Sequence, residues 1–362
     1  MLNLKDREWK SFFIDEIATI ESGCDIYESS RIKGKTPYIS STSINNGVVH
    51  FIANDNSTRE AGCVSVNRNG SVGYAFYHPY DALFSNDCRK LRLNHPSKQV
   101  GLFIAHQVAA QRDKYSYAYK MGTGRLKRQS ILLPVSKNGT PDWKFMEDYI
   151  GEREQMQINA CVLHAKKTLA EIDICKNVLP LNEKKWNPFV LSSIFTLETG
   201  KGKGLNHLTQ TSDGISYLGA TNRNNGVLCY VKPEPKLLQH GNGIAFIRNG
   251  EGSIGYSVYK AEPFIASSDI TIGYSTKLNR YTGLFITTIA DTVRGKYNFN
   301  YKRSEKRLAK EFLNLPINEN GEPDWEYMDK YAKQIVHQKL SLYLQHADNI
   351  LGSTNANCLG GS

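Results

Sequence analysis

Asn138-Gly139-Thr140-Pro141-Asp142-Trp143 returns later in the chain as Asn320-Gly321-Glu322-Pro323-Asp324-Trp325. Upstream of each copy the match continues. Leu133-Pro134 pairs with Leu315-Pro316, Arg125-Leu126 with Arg307-Leu308, and Tyr119-Lys120 with Tyr301-Lys302. Lys114-Tyr115 pairs with Lys296-Tyr297, Arg112 with Arg294, and Gly101-Leu102-Phe103-Ile104 with Gly283-Leu284-Phe285-Ile286. From these glycines to Tyr149 and Tyr331 the copies align without a gap. Roughly 20 of 49 positions are identical, where chance gives about three. With small gaps the repeat reaches back to Trp9 and Trp186. It passes Asn45-Asn46-Gly47-Val48 and Asn224-Asn225-Gly226-Val227, then Arg68-Asn69-Gly70 and Arg248-Asn249-Gly250. Gly73-Tyr74 matches Gly255-Tyr256, and Ser85 and Asp87 match Ser267 and Asp269. The chain is two copies of one domain-sized unit, so it carries two similar surfaces.

The opening part of each unit reads as short strands and turns. Val64-Ser65-Val66 and Ile244-Ala245-Phe246-Ile247 are strand-like runs, and the Asn-Asn-Gly stretches suit tight turns because Asn and Gly tolerate positive φ. Short helices are expected at 102–111 and 284–293. After Pro141-Asp142 and Pro323-Asp324 each unit turns helical, since proline and aspartate suit a helix start. Apolar or small residues recur at Ile158, Val162, Ala165, Leu169 and Ile172, and again at Leu340, Leu344, Ala347 and Leu351, an a/d seam. Such a seam serves a helix packed on its own domain or two helices packed on each other. The matched seams and the length of both helices favour the second. Residues 179–185 read as a linker, and 353–362, rich in Ser, Gly and Asn, as a flexible tail. The fold class is α+β.

The 362 residues carry 45 Lys and Arg against 35 Asp and Glu, a net charge of +10. A positive surplus favours polyanions. No apolar stretch is long enough for a membrane span, and the N-terminus lacks a secretory pattern, so a cytoplasmic protein is expected. The seven cysteines include no CxxC pair, which leaves reduced structural thiols as the expectation. No HExxH, phosphate loop or nucleophile motif is present. Gly200-Lys-Gly-Lys-Gly204 lacks phosphate-loop spacing and reads as a flexible basic loop. Asn187-Pro188-Phe189 lacks the second proline of an amino-methyltransferase motif. Pro141-Asp142-Trp143-Lys144 resembles a nuclease motif, but its copy ends in Glu326, so a helix cap explains both copies.

Two features fit DNA. Arg112, Lys114, Lys120, Arg125, Lys127 and Arg128 are interleaved with Tyr115, Tyr117 and Tyr119. The second copy offers Arg294, Lys296, Lys302, Arg303, Lys306 and Arg307 with Tyr297, Phe299 and Tyr301. These cations suit phosphates. The odd-numbered aromatics also alternate as strand residues facing a core do. The second feature is polar loops: Ser41–Asn46 with Asn45 and Asn46, then Arg68-Asn69 and Ser85-Asn86, and in the other unit Thr221–Asn225 with Arg223 and Asn224, Arg248-Asn249 and Ser267-Ser268. Arg and Asn make bidentate contacts to guanine and adenine, although turn formation alone also explains the asparagines. Ser43-Ile44 faces Asn222-Arg223 across the repeat, so the two units would read different bases.

Duplicated Asn-Asn-Gly-Val, Gly-Tyr and Leu-Pro elements, each ahead of a long helix, resemble the specificity subunits of Type I restriction–modification enzymes. The Asn-Gly-x-Pro-Asp-Trp-x-x-Met run is similar to the BcgI-like, Type IIB branch. The likeness covers Trp9 to Leu351. It implies target recognition domains at 1–140 and 186–322, each reading half of an interrupted site in double-stranded DNA. It implies spacer helices at 141–178 and 323–352, packed as an antiparallel coiled coil with pseudo-two-fold symmetry. It also implies docking to methyltransferase and nuclease subunits. Those subunits would bind S-adenosylmethionine and Mg2+, leaving this chain non-catalytic and without cofactor or metal. Two other readings stand beside it: a stand-alone DNA methyltransferase or nuclease with an unrecognised centre, and a pseudo-symmetric protein-binding adaptor.

Overall fold

The computed structural model describes residues 1–116, 118–174, 177–250, 252–298 and 300–359, with side chains described as far as residue 350. The chain divides into two compact units, Met1–Cys161 and Val162–Ser362. Tyr117, Cys175 and Phe299 lie outside the described residues, as do the side chains of Leu351 and Cys358.

In the first unit a four-stranded antiparallel sheet runs in the order Ala18–Ser22, Cys88–Leu93, Cys63–Asn67, Ala75–His78. A three-stranded sheet joins Val48–Ile52, Lys33–Ile39 and Leu83–Phe84, the last pair being parallel. The first strand, Glu8–Phe13, pairs with the last, Ser130–Val135, so that Glu8 sits opposite Val135. The Val64-Ser65-Val66 expectation falls in a strand buried at every residue. That burial on both sides explains why it reads as an apolar run rather than an alternating one. Against it packs the helix Lys98–Ala109, whose Val100, Phe103, Ile104 and Val108 share one core with Val64, Val66, Leu91, Leu133 and Met146. The helix starts before the expected 102 because the Ser97 side chain caps it by accepting the Val100 N–H at 3.2 Å. Gly101 faces the Tyr77 ring so closely that a Cβ would overlap it.

The second unit repeats this plan. Its sheets run Thr196–Thr199, Ile270–Tyr274, Gly243–Ile247, Ser257–Lys260 and Val227–Val231, Gln210–Leu218, Phe264–Ala266, Leu238–Gln239. Trp186–Val190 pairs with Phe312–Pro316. Asn187-Pro188-Phe189 is therefore strand. The helix Arg280–Ala290 is capped by Asn279, and Gly283 sits against the Tyr259 ring. Ile286, Leu308, Leu315 and Met328 occupy core positions matching Ile104, Leu126, Leu133 and Met146.

The long helices are Trp143–Glu171 and Trp325–Leu359. Asp142 accepts the Phe145 N–H and Asp324 the Tyr327 N–H, each at 3.0 Å, so the caps expected from the Pro-Asp pairs are present. Along the seams Ala165 and Ala347 are 1% exposed, and Ile158, Val162, Leu169, Leu340 and Leu344 are half-buried. The second helix continues to Leu359, through residues expected as tail. Gly200–Gly204 is also less free than its composition suggests. Gly202 N–H donates to the Ala266 carbonyl at 2.7 Å, Gly200 N–H to that of Ile270 at 2.9 Å, and neither glycine has room for a Cβ against the Ala266-Ser267 backbone. Gly23 makes the same close approach, to Ser85, in the first unit.

Candidate nucleic-acid interface

Within each unit the turn loops lie beside one another. Asn45, Asn46 and Gly47 have φ of 51°, 51° and 79°, and Asn224, Asn225 and Gly226 have φ of 49°, 53° and 78°. Three successive residues in the left-handed region explain the composition of these turns. The asparagine side chains and Arg223 are exposed. The loop from Arg68 to Tyr74 packs on this turn: Asn67 Nδ2 donates to the Thr42 carbonyl at 2.9 Å, and the Ser41 hydroxyl donates to the Asn69 carbonyl. In the other unit the Ser253 hydroxyl donates to the Ala220 carbonyl at 2.9 Å.

A third loop closes the group. Asn69 Nδ2 donates to Asp87, and Asn249 Nδ2 to Asp269 at 3.0 Å, so both asparagines tie loops together. The Arg68 guanidinium donates to the Asn86 carbonyl at 3.3 Å, and Arg248 donates to the matching Ser268 carbonyl. Arg89, which the sequence reading missed, lies buried beneath Asn86. Its Nε donates to Thr123 Oγ1 at 2.6 Å and its Nη1 to the Asn86 carbonyl at 3.0 Å. Burial, and then the neighbouring charge of Arg68, hold its pKa below the usual value.

The basic segments border these loops. The Arg112 guanidinium lies 5.4 Å from the Tyr74 ring centre and that of Arg294 lies 4.2 Å from Tyr256. A Cβ on Gly73, whose φ is 80°, would stand 2.8 Å from the Arg112 Cβ, which accounts for the repeated Gly-Tyr pair. Among the described residues from 112 to 128 and from 294 to 307 no strand forms, so strand alternation does not place Tyr115, Tyr119, Tyr297 and Tyr301. Tyr115 stacks on Tyr119 at 5.8 Å and Tyr297 on Tyr301 at 6.0 Å. Arg125 then covers Tyr119 at 4.0 Å and donates to the Lys120 carbonyl at 2.8 Å. Arg307 covers Tyr301 at 3.9 Å and donates to the Lys302 carbonyl at 2.7 Å. The outer tyrosines are half-exposed, and Lys114, Lys127, Arg128, Lys296, Lys302 and Lys306 are exposed, with Lys120 half-buried.

Arg303 does not belong to this surface. It is 0% exposed, and its guanidinium grips the Glu311 carboxylate with two nitrogens, Nε at 3.0 Å from Oε2, while Nη1 donates to the Gly255 carbonyl at 3.3 Å. Tyr297 also donates to Glu311, at 2.6 Å, and its pKa is raised by burial and by that bond. The matching positions in the first unit are Met121, also 0% exposed, and Gln129, which accepts from Tyr115 at 2.5 Å. A neutral pair in one copy is an ion pair in the other.

Cys24, Cys63, Cys88, Cys161 and Cys229 are free thiols, and burial pushes Cys63 and Cys88 up to about 12, out of the reactive range. Among the described residues no group of three His, Cys, Asp or Glu side chains is placed to hold a metal ion, and no helix is long and apolar enough to cross a membrane.

Residues 6–163 and 183–342 match the sequence family described as the Type I restriction modification DNA specificity domain. Over 154 residues the chain is 42% identical to the "Type II restriction enzyme BgcI specificity subunit S.BcgI" of Heyndrickxia coagulans. The aligned stretch covers 42% of this chain and 45% of that one, so the match spans less than half of the relative. In fold the chain is similar to the Type-I restriction-modification system S subunit from M. genitalium, with a TM-score of 0.51 at 14% identity, covering 98% of this chain and 96% of that one.

Proposed function

Because the chain belongs to the Type I restriction modification DNA specificity domain family, we propose that it is the sequence-reading subunit of a restriction–modification complex. Each unit reads one half of an interrupted double-stranded DNA site. The observation that carries this reading is the surface built twice. In each unit the Asn-Asn-Gly turn, the Arg-Asn-Gly loop and an arginine–tyrosine stack, Arg112 on Tyr74 or Arg294 on Tyr256, lie together and are bordered by exposed cations. Phosphate contacts from the cations would set the register, and the turn loops would meet base edges.

In this reading the two long helices pair as an antiparallel coiled coil with pseudo-two-fold symmetry and set the distance between half-sites. The burial of Ala165 and Ala347, small residues at matched seam positions, supports the pairing. The first helix has 29 residues and is ~44 Å long, more than one DNA turn of ~34 Å. Methyl transfer and cleavage are the work of partner subunits docked on this chain, which supply S-adenosylmethionine and Mg2+, and the complex works in the cytoplasm.

The test is selection from a random duplex library by the full chain assembled with a methyltransferase subunit. Two short motifs at one fixed spacing are expected. Enrichment of a single contiguous motif, or of none, overturns the proposal.

A further inference from the structure

The two units hold their loop arginines differently. Arg68 and Arg89 share the Asn86 carbonyl, and the side chain against Arg89 is the neutral Thr123 hydroxyl. The repeat puts Glu305 where the first unit has Thr123. Glu305 Oε1 lies 3.3 Å from Arg248 Nη2 and also accepts from Thr199 Oγ1. The Arg248 side chain is 15% exposed against 57% for Glu305, and its Nε is buried without a hydrogen-bond partner. The second unit therefore holds its loop arginine against an internal carboxylate, and the first does not.

Resting on the DNA-reading function, we propose that Glu305 is a specificity-determining residue that competes with DNA for Arg248. A guanine edge offers two acceptors in the plane of a guanidinium, N7 and O6, and satisfies Arg248 better than one carboxylate oxygen does. A phosphate from unrelated sequence brings a full negative charge up against the Glu305 carboxylate, which a neutral guanine edge does not. Glu305 thus lowers binding to all DNA, and lowers binding to wrong DNA most. Among the described residues the hydrogen-bond acceptors of Arg68 and Arg89 are neutral, with Asp87 acting on Arg89 through its charge alone, so the first unit engages DNA with less discrimination.

The experiment measures binding of the full chain, in its complex, to a duplex carrying the selected site and to a scrambled duplex of equal length. Wild type, Glu305→Gln, Arg248→Ala and the double variant are compared. Glu305→Gln is expected to tighten scrambled-duplex binding ~2- to 5-fold, in the range of one exposed ion pair, and to tighten the selected site less. On the Arg248→Ala background the same change is expected to do nothing. If Glu305→Gln tightens both duplexes equally with and without Arg248, a general charge effect explains it and the proposal falls. If it changes neither duplex while wild type still prefers its site, the carboxylate is merely structural and the proposal falls with the DNA-reading function intact. Wild type that prefers no site overturns that function itself.

Discussion

The Arg303–Glu311 pair can be replaced by the protein's own alternative. The Arg303 side chain is 0% exposed and that of Glu311 3%, so solvent screens the pair little. Arg303→Met alone leaves a buried carboxylate with the Tyr297 hydroxyl as its remaining side-chain donor. Breaking a buried pair in this way costs about 3–5 kcal/mol. Arg303→Met with Glu311→Gln recreates the Met121 and Gln129 arrangement, in which a tyrosine donates to a neutral amide. Exchange of a buried ion pair for neutral groups of similar volume is about neutral, so the double variant should fall within ~1–2 kcal/mol of wild type. Adding Glu311→Gln to Arg303→Met should therefore recover about 1–4 kcal/mol, and the Glu311→Gln single variant completes the cycle that gives the coupling. Backbone hydrogen exchange reads the two units separately. The strand Phe312–Pro316 should exchange roughly two to four orders of magnitude faster in Arg303→Met, with Ser130–Val135 unchanged as reference, and return toward wild type in the double variant. A single variant within 1 kcal/mol of wild type, or a double variant no better than the single, would refute the reasoning.

Three further outcomes are expected. Gly101→Ala and Gly283→Ala should each destabilise their unit by about 1–3 kcal/mol in thermal melts, because the added methyl overlaps the Tyr77 or Tyr259 ring. Asp142→Ala and Asp324→Ala should each cost about 1 kcal/mol at neutral pH through the lost cap. Burial raises each carboxyl's pKa, but the Arg7 and Lys184 contacts and the cap N–H outweigh it and hold the net value below the usual one. The caps therefore stabilise fully above pH ~4, and that stability is lost as pH falls through the lowered folded values. Urea unfolding at pH 6 and pH 3 checks this, since the gap between wild type and variants should narrow at the lower pH. Arg68→Ala should relax the preferred sequence at one position for about 1–3 kcal/mol, whereas Lys114→Ala should weaken all duplexes alike and lower the salt slope by about one. Identical behaviour of the two would show that base and phosphate contacts have been assigned wrongly.

The repeat, the strand-then-helix order and the Pro-Asp caps were legible because each rests on local chemistry repeated in both copies. The turn loops were legible one by one, through their Asn and Gly residues, but their gathering in space was not. What the sequence hid were side chains whose role depends on distant partners. Arg303 sits in a basic run and resembles Arg125 by type, yet Glu311 draws it into the core. The signal was present in the alignment, where Met121 becomes Arg303 and Gln129 becomes Glu311 together. Arg89 escaped notice because its copy is Thr271, so duplication did not mark it. The tyrosines alternate like strand residues, but stacking under Arg125 and Arg307 overrides that pattern. The Gly200 loop looked flexible by composition, and only its contact with the Ser267 backbone, shared by Gly23 and Ser85, shows why glycine stands there.

The pairing of Glu8–Phe13 with Ser130–Val135, repeated by Trp186–Val190 with Phe312–Pro316, brings the first and last segments of each head side by side. The two-stranded clasp stands just ahead of a long helix whose first turns pack into the same core through Met146 and Met328. Such a module can be cut out and replaced by a foreign one of different length without re-threading the rest of the chain.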